Sequence, residues 1–434
     1  MPEGSYTKNQ VWYPVLMFGL GVCHQMITQW AVFFYAPPLS AGATVFLNIG
    51  LISAAMALGR VVAALSDPLV AFMSDRFSSR LGRRKPFMFW GVPFLLLSFL
   101  LLWYPPVKHA TLLNFFWAAL AVSIFFFSYS LITAPYLALL PEMTDSEMER
   151  IKLSTLQMSF YGGGAGLGFL FSTIFGPSLG LPKLVLIYFP FIAFSLIWPS
   201  LMIKENPSLQ PQETPNFGWR EALRSLKDDR VFMFWNVTQA FIWTALIMLV
   251  MLMPYLLTVI LKVSSPSLIS LPAVVVVVAG STANVLFVFK EIKSKGKENI
   301  YQNVLIAAGF VLVLISAVGL KGLPGTPQLQ AAVLFALLAG PLALLLALPN
   351  AVVAEISERR LAQHEERMEA LLYAGQGFIV KLSMAGGSAL LGFLLFYFGS
   401  TIEASLGIRL ASLLAGILLL LSTLFFRKFR KYKD

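Results

Sequence analysis

Charged residues are scarce in this chain: 12% of 434, where soluble domains carry about 25%. That excludes an ordinary soluble globular protein. The single cysteine, Cys23, excludes an internal disulfide. The three histidines are not spaced as metal ligands. His364 in HEERM has Met368, not a second histidine, four residues on, so no metal is expected. No phosphate-binding loop, nucleophile elbow or Cys/His cluster occurs. GGGAGLG (162–168) lacks the G-x-G-x-x-G spacing and reads as glycines for close helix packing or bending, as does AGGSALLG (385–392). An enzyme and an ATP-driven pump are therefore not expected, and no cofactor is called for. The energy source should be an ion gradient.

Apolar length is what the chain has in abundance. It is 58% hydrophobic and offers twelve stretches long enough to span a bilayer: roughly 11–35, 44–73, 86–104, 112–140, 152–176, 183–203, 231–262, 269–289, 301–320, 329–353, 371–398 and 405–426. The first run continues as a full span with no cleavage signal, so it reads as an uncleaved first helix. The net charge of +11 does not point to nucleic acid, because the cations sit in short loops. Most of the 32 Lys and Arg fall in the terminal tails and after every second span. The opposite loops hold only Lys108, Lys183, Lys262, Lys321 and Arg409. Positive loops face the cytoplasm, so both termini are expected there, in the cell membrane. The expected organisation is an N-terminal six-helix bundle (1–203), a cytoplasmic linker with an interfacial helix (204–230), a C-terminal six-helix bundle (231–426) and a basic cytoplasmic tail (427–434). Proline-rich KENPSLQPQETP followed by amphipathic NFGWREALRSLKDDR marks the linker. A faint repeat joins the halves: APYLALLPE with Glu149-Arg150, and LPNAVVAE with Glu366-Arg367.

Three charges stand inside spans: Arg60, Asp67 and Lys381. Asp67 lies eight residues before Asp75, roughly 12 Å along a helix axis. At that depth a charge costs at least about 2.5 kcal/mol, and such residues bind ions or relay protons. Arg60, on the same face, is about 10 Å from it, too far for a direct ion pair. Lys381 lies roughly 16 Å into its span, too deep to snorkel comfortably, and suits a substrate with an anionic or strongly hydrogen-bonding group. Helix 1 carries His24, Gln25, Gln29 and Trp30; helix 7 carries Asn236, Gln239 and Trp243. These polar-aromatic faces line a cavity or bond neighbouring helices; the sequence does not decide. Trp235 reads as an interfacial belt residue. In SDRFSSRLGRRKP (74–86), Asp75, Arg76, Arg80, Arg83 and Arg84 are expected to form ion pairs at a cytoplasmic gate, with Glu142, Arg150, Glu355 and Arg367 from the repeated loops.

The segments DP…SDR…SRLGRRKP at 67–86, PYLALLPEMT…ERIKLS at 135–154 and ERMEALLYAGQGFIVKLSMAGGSALLG at 366–392 resemble the glycoside–pentoside–hexuronide:cation symporters of the major facilitator superfamily. Mammalian lysolipid carriers share the pattern. The resemblance implies an all-α major facilitator fold of 12 transmembrane helices in two bundles, working by alternating access with Na⁺, H⁺ or Li⁺ as driving ion. It places Asp67 on the more C-terminal of two helix 2 carboxylates of the cation site, Lys381 on a helix 11 lysine, Gln376 on a sugar-site polar residue and Arg150 on a loop arginine. Where the resemblance expects the other carboxylate, a sugar-binding carboxylate, a sugar-stacking tryptophan and a sugar-binding arginine, this chain has Ala63, Thr133, Leu137 and Met158.

The expectation is a cation-coupled symporter of a sugar, glycoside or related solute. Asp67, with Arg60, Ser66 and Thr133, would form the coupling site. A lone carboxyl suits protonation better than Na⁺ ligation. His24, Gln25, Trp30, Thr133, Trp243, Gln376 and Lys381 would bind solute between the bundles. The apolar replacements at 137 and 158 also suit an amphipathic solute such as a lysolipid. The expected partners are the solute, the coupling ion and the lipid bilayer, with no nucleic acid, and the carrier is read as a monomer. A receptor or assembly factor on a transporter scaffold would have no use for Asp67 and Lys381 at matching depth.

Overall fold

The computed structural model describes residues 3–38, 43–77, 79–143, 147–203, 205, 229–260, 262, 302–303, 305–311, 352–353, 356 and 369–433. Every extended element among them is helical: α1 (Glu3–Tyr35), α2 (Ile49–Arg76), α3 (Lys85–Leu102), α4 (Leu112–Met143), α5 (Glu147–Leu179), α6 (Leu181–Met202), α7 (Arg230–Tyr255), α8 (Glu369–Phe398) and α9 (Leu406–Lys433). Among the described residues, eight helices are long and apolar enough to cross a membrane. The expected spans 269–289 and 329–353, the linker, Glu355, Arg367 and His364 lie wholly or mostly outside the described residues.

Local chemistry fixes the helix ends. The second helix begins later than its apolar run suggests, because Asn48 accepts a hydrogen bond from the Gly50 amide and caps it. Asp229 caps α7 through the Phe232 amide, 3.0 Å away. Pro254 interrupts the ladder near the end of α7, and the chain continues as a π-turn over Leu256–Ile260. At the other end of the chain, α9 runs through the basic stretch as far as Lys433.

The chain divides into two compact units, Met1–Pro37 with Thr44–Pro215, and Pro38–Ala43 with Asn216–Asp434. In the first unit α1 packs on α5 and α6, while α4 packs on α2 and α3. The α1–α5 contact needs bare backbone. A Cβ on Gly164 would stand 2.1 Å from the Phe18 carbonyl oxygen, so GGGAGLG does serve close packing there. Gly162, Gly163 and Gly166 of the same run face open space. In the second unit α7 packs on α8 and α9, around Trp235, Leu246, Leu249, Leu419 and Phe426.

Candidate functional site

In the first unit, α2 holds Arg60 and Asp67 on one face, while Leu58, Leu65 and Leu69 form an exposed apolar stripe. Pro68 follows Asp67 inside the helix. Its missing N–H deprives the Ala64 carbonyl of its helical donor, so an extra acceptor is created one turn from the carboxylate. Asp67 is half-buried. Ser66 donates its proton to the Val62 carbonyl at 2.6 Å and Thr133 to the Tyr129 carbonyl at 2.8 Å. Both hydroxyls thereby turn only lone pairs outward. Ala63 is 2% exposed and supplies no second acid.

Arg60 is 1% exposed. Its Nη2 donates to Thr28 Oγ1 at 3.4 Å, and its guanidinium lies over the Phe126 ring, 5.4 Å from the centroid. Nε and Nη1 find no hydrogen-bond partner among the described residues. The guanidinium is thus a buried cation held, among the described residues, by one long hydrogen bond and a ring contact.

The polar face of α1 resolves into two sets. Gln25 donates to Gln29 (3.1 Å), Gln29 to Thr173 (3.3 Å) and Trp30 to Ser172 (2.7 Å). Trp30, expected at the solute, is 2% exposed with its indole committed to α5. His24 points elsewhere. Its Nδ1 is 3.1 Å from the Tyr161 hydroxyl, and its ring sits 5.6 Å from Tyr129 and 6.2 Å from Phe126. The Tyr161 ring lies 6.4 Å from His24, so both tyrosines border the imidazole. Sequence reasoning missed both tyrosines. The signal was present, since Tyr129 is one turn from Thr133 and Tyr161 adjoins the glycine run, but tyrosine in a span is also ordinary packing. Leu137, a turn beyond Thr133, and Met158 are exposed.

The loop between α2 and α3 is built around a residue that the sequence did not single out. Glu205, just past α6, accepts from the backbone amides of Arg83 (2.9 Å), Arg84 (2.8 Å) and Lys85 (2.6 Å). These are orphan donors at the start of α3, where a carboxylate is favoured. Arg84 is buried and donates to the Ala138 carbonyl of α4. Arg76 covers the Phe72 ring at 3.8 Å, and Arg80 is exposed. The side chains of Asp75, Glu142 and Arg150 lie outside the described set. At this end Tyr13 and Tyr136 stack with centroids 4.2 Å apart and exchange bonds: Tyr136 donates to the Tyr13 carbonyl at 2.8 Å, and Tyr13 to the Tyr136 carbonyl at 3.2 Å.

In the second unit Trp235 is fully buried, not in an interfacial belt. Its indole N–H donates to Gln376 Oε1 at 2.8 Å, a buried partner that replaces water. Trp243 donates to Gln239 at 3.1 Å. Lys381 is half-buried on α8, five residues beyond Gln376.

The sequence profile described as "MFS/sugar transport protein" matches residues 13–433. The chain belongs to this family of the major facilitator superfamily. The family consists of membrane transporters, not enzymes. Among curated relatives, a symporter of unassigned substrate from Synechocystis sp. is 28% identical over 205 residues, 41% of this chain and 37% of that protein. The symporter YnaJ of Bacillus subtilis is 29% identical over 37% of this chain and 33% of its own length. The isoprimeverose transporter of Lactiplantibacillus pentosus is 25% identical over 36% and 32%. The matched stretch thus spans about a third of each relative. The solved structure of nucleoside transporter NupG has a TM-score of 0.65 at 12% identity, covering 97% of this chain and 99% of that one. The E. coli fucose:proton symporter FucP gives 0.57 at 14% identity, covering 98% and 99%. The fold is the all-helical major facilitator fold, and the protein is a multi-pass membrane protein.

Proposed function

We propose that this protein is a cation-coupled symporter that moves a sugar or glycoside by alternating access, with both termini in the cytoplasm and one chain as the working unit. One observation carries the reading. Asp67 sits mid-helix in a membrane-spanning segment, flanked by the unneeded Ala64 carbonyl and a loosely held Arg60, in a family of carriers. A carboxylate so placed costs stability unless it binds something. Protons suit it better than Na⁺, since Ala63 removes the second acid and leaves a single carboxyl among neutral oxygens. The isoprimeverose relative supports a glycoside as solute, and Gln376 and Lys381 are its candidate polar contacts in the second unit. His24 and Thr133 are candidates in the first.

Leu137 and Met158 favour a second reading. Both are exposed and apolar where the family resemblance expects a stacking tryptophan and an arginine, so the solute would be amphipathic, such as a lysolipid. Thermal stability of the purified protein against glycosides, organic anions and lysolipids, with and without Na⁺ at two pH values, tests both. A bound ligand raises the melting temperature by mass action. A Na⁺-independent, pH-sensitive glycoside response is the expected outcome. A glycoside response that requires Na⁺ would overturn the proton assignment, and a lysolipid response would overturn the sugar assignment.

A further inference from the structure

In the second unit, helix α9 carries an exposed stripe that does not stop where its apolar run stops. Ile417, Leu421 and Leu424 are exposed and spaced alternately four and three residues apart, and the same spacing continues into exposed Lys428 and Lys431. Residues in that register share one helix face. From this continuity we propose that the adjoining ends of α7 and α9 bind the headgroup of an anionic phospholipid, with Lys428 and Lys431 of α9 and Arg230 of α7 as the cations. The site is separate from the solute and coupling-ion residues proposed above and does not depend on their assignment.

Aromatic rings position the three cations. The Phe234 and Tyr432 rings stack with centroids 5.3 Å apart and so join α7 to α9. Lys428 Nζ lies 5.7 Å from the Phe234 centroid and 5.9 Å from that of Phe425, and the Arg230 guanidinium lies 6.0 Å from that of Tyr432. Lys428 and Arg230 therefore flank one stacked pair, each from its own helix. Attraction to a ring face leaves the donors of an ammonium or guanidinium available to phosphate oxygens. Arg427 is committed elsewhere: its Nη2 donates to the Gln302 side chain at 3.0 Å. Asp229, the acid among the described residues at this end, accepts from the Phe232 amide as the cap of α7.

A basic helix end sets the orientation of a span whatever its geometry. A lipid site asks for more, namely cations at headgroup level in line with a surface for the acyl chain. Both are present. Lys428 stands one turn beyond Leu424, about 6 Å along the axis, so a headgroup phosphate meets the ammonium while its chain lies along Leu421 and Leu424. Tyr432 is exposed at the same level, where interfacial tyrosines sit. Basic clusters just beyond the end of a span attract anionic lipids, and this end gathers Arg230, Arg427, Lys428, Arg430 and Lys431. A free phosphate would gain nothing from the apolar stripe, which is why the occupant is a lipid.

Native mass spectrometry of the full chain, offered phosphatidylglycerol and phosphatidylcholine in equal amounts, tests the site. The wild type should retain phosphatidylglycerol in preference. Each of the three cations should contribute about fivefold to that preference, so Lys428→Gln with Lys431→Gln should lose about 25-fold of it. Lys428→Arg should keep it, and so should Arg409→Gln at the opposite end of α9. Phosphatidylglycerol should also raise the melting temperature of the wild type and not that of the double variant, a scan that shows at the same time that the variant is folded. Should the double variant not fold, Lys431→Gln alone should show the fivefold loss. Equal retention of the two lipids by the wild type, or an undiminished preference in the folded variants, overturns the site. Displacement of the lipid by millimolar inorganic phosphate overturns the lipid as its occupant.

Discussion

The Glu205 carboxylate should hold the start of α3 to the end of α6 with a measurable share of the first unit's stability. It accepts three consecutive backbone amides at 2.6–2.9 Å. A side-chain cap at a helix start is worth about 0.5–2 kcal/mol. A negative charge in the first turn adds about 0.3–1 kcal/mol when near the surface. Glu205→Ala should therefore cost about 2 kcal/mol. Glu205→Gln, which keeps an acceptor but loses the charge, should cost about 1 kcal/mol.

Gly82 gives the independent check. Its φ is +108°, and a Cβ there would stand 2.4 Å from Glu205 Oε1. Gly82→Ala meets backbone strain of about 1–3 kcal/mol and also expels the carboxylate. Where Glu205 is already alanine, only the strain remains, so the two changes should couple by about 2 kcal/mol in a double-mutant cycle. For a unit of this size each kcal/mol moves a melting temperature by about 2–4 °C. Scans at one fixed rate would show Glu205→Ala melting about 4–8 °C lower. A drop within about 1 °C, or strict additivity of the two changes, refutes the latch.

Three further outcomes are expected. Gly164→Leu, which drives a side chain into the Phe18 carbonyl, should cost about 1–3 kcal/mol and lower the yield of folded protein. Gly163→Leu, facing open space, should be near neutral by the same assay. Trp235→Phe leaves Gln376 Oε1 without its 2.8 Å donor and should cost about 1–3 kcal/mol, seen as a lower melting temperature that Gln376→Met, added to it, partly restores. Asp67→Asn, which removes a charge from the span, should raise the melting temperature of the unliganded protein and should abolish any pH- or ion-dependent change in it on adding the responding solute.

Charge placement and apolar length made the helices legible from sequence. Arg60, Asp67 and Lys381 stand out because lipid tolerates few charges, and that rule needs no tertiary information. The family-level motif in 67–86 likewise announced the fold. What stayed hidden depends on partners distant in sequence. Glu205 reads as one more linker acid until the three α3 amides are seen to converge on it. Trp235 reads as a belt residue because its hydropathy position is interfacial; its burial follows from Gln376, 141 positions away. Tyr161 resembles any aromatic packing until its hydroxyl is found 3.1 Å from His24 Nδ1.

The polar content of these spans also needs sorting before any of it is read as a site. A serine or threonine hydroxyl in a helix reaches its own chain's carbonyl three or four residues back. Ser66, Ser172, Thr133, Thr173, Thr238, Thr244, Ser383 and Ser388 all do so. Such bonds satisfy the hydroxyl's donor, so these residues do not by themselves mark a cavity. Gln29 and Trp30 cross to α5, where Thr173 and Ser172 receive them as packing partners. Neither group includes Arg60 or Asp67, ionisable side chains inside a span whose charge the packing of helices does not require. A fold selected for stability alone would replace them with apolar residues of like volume, since buried ions gain little over such isosteres.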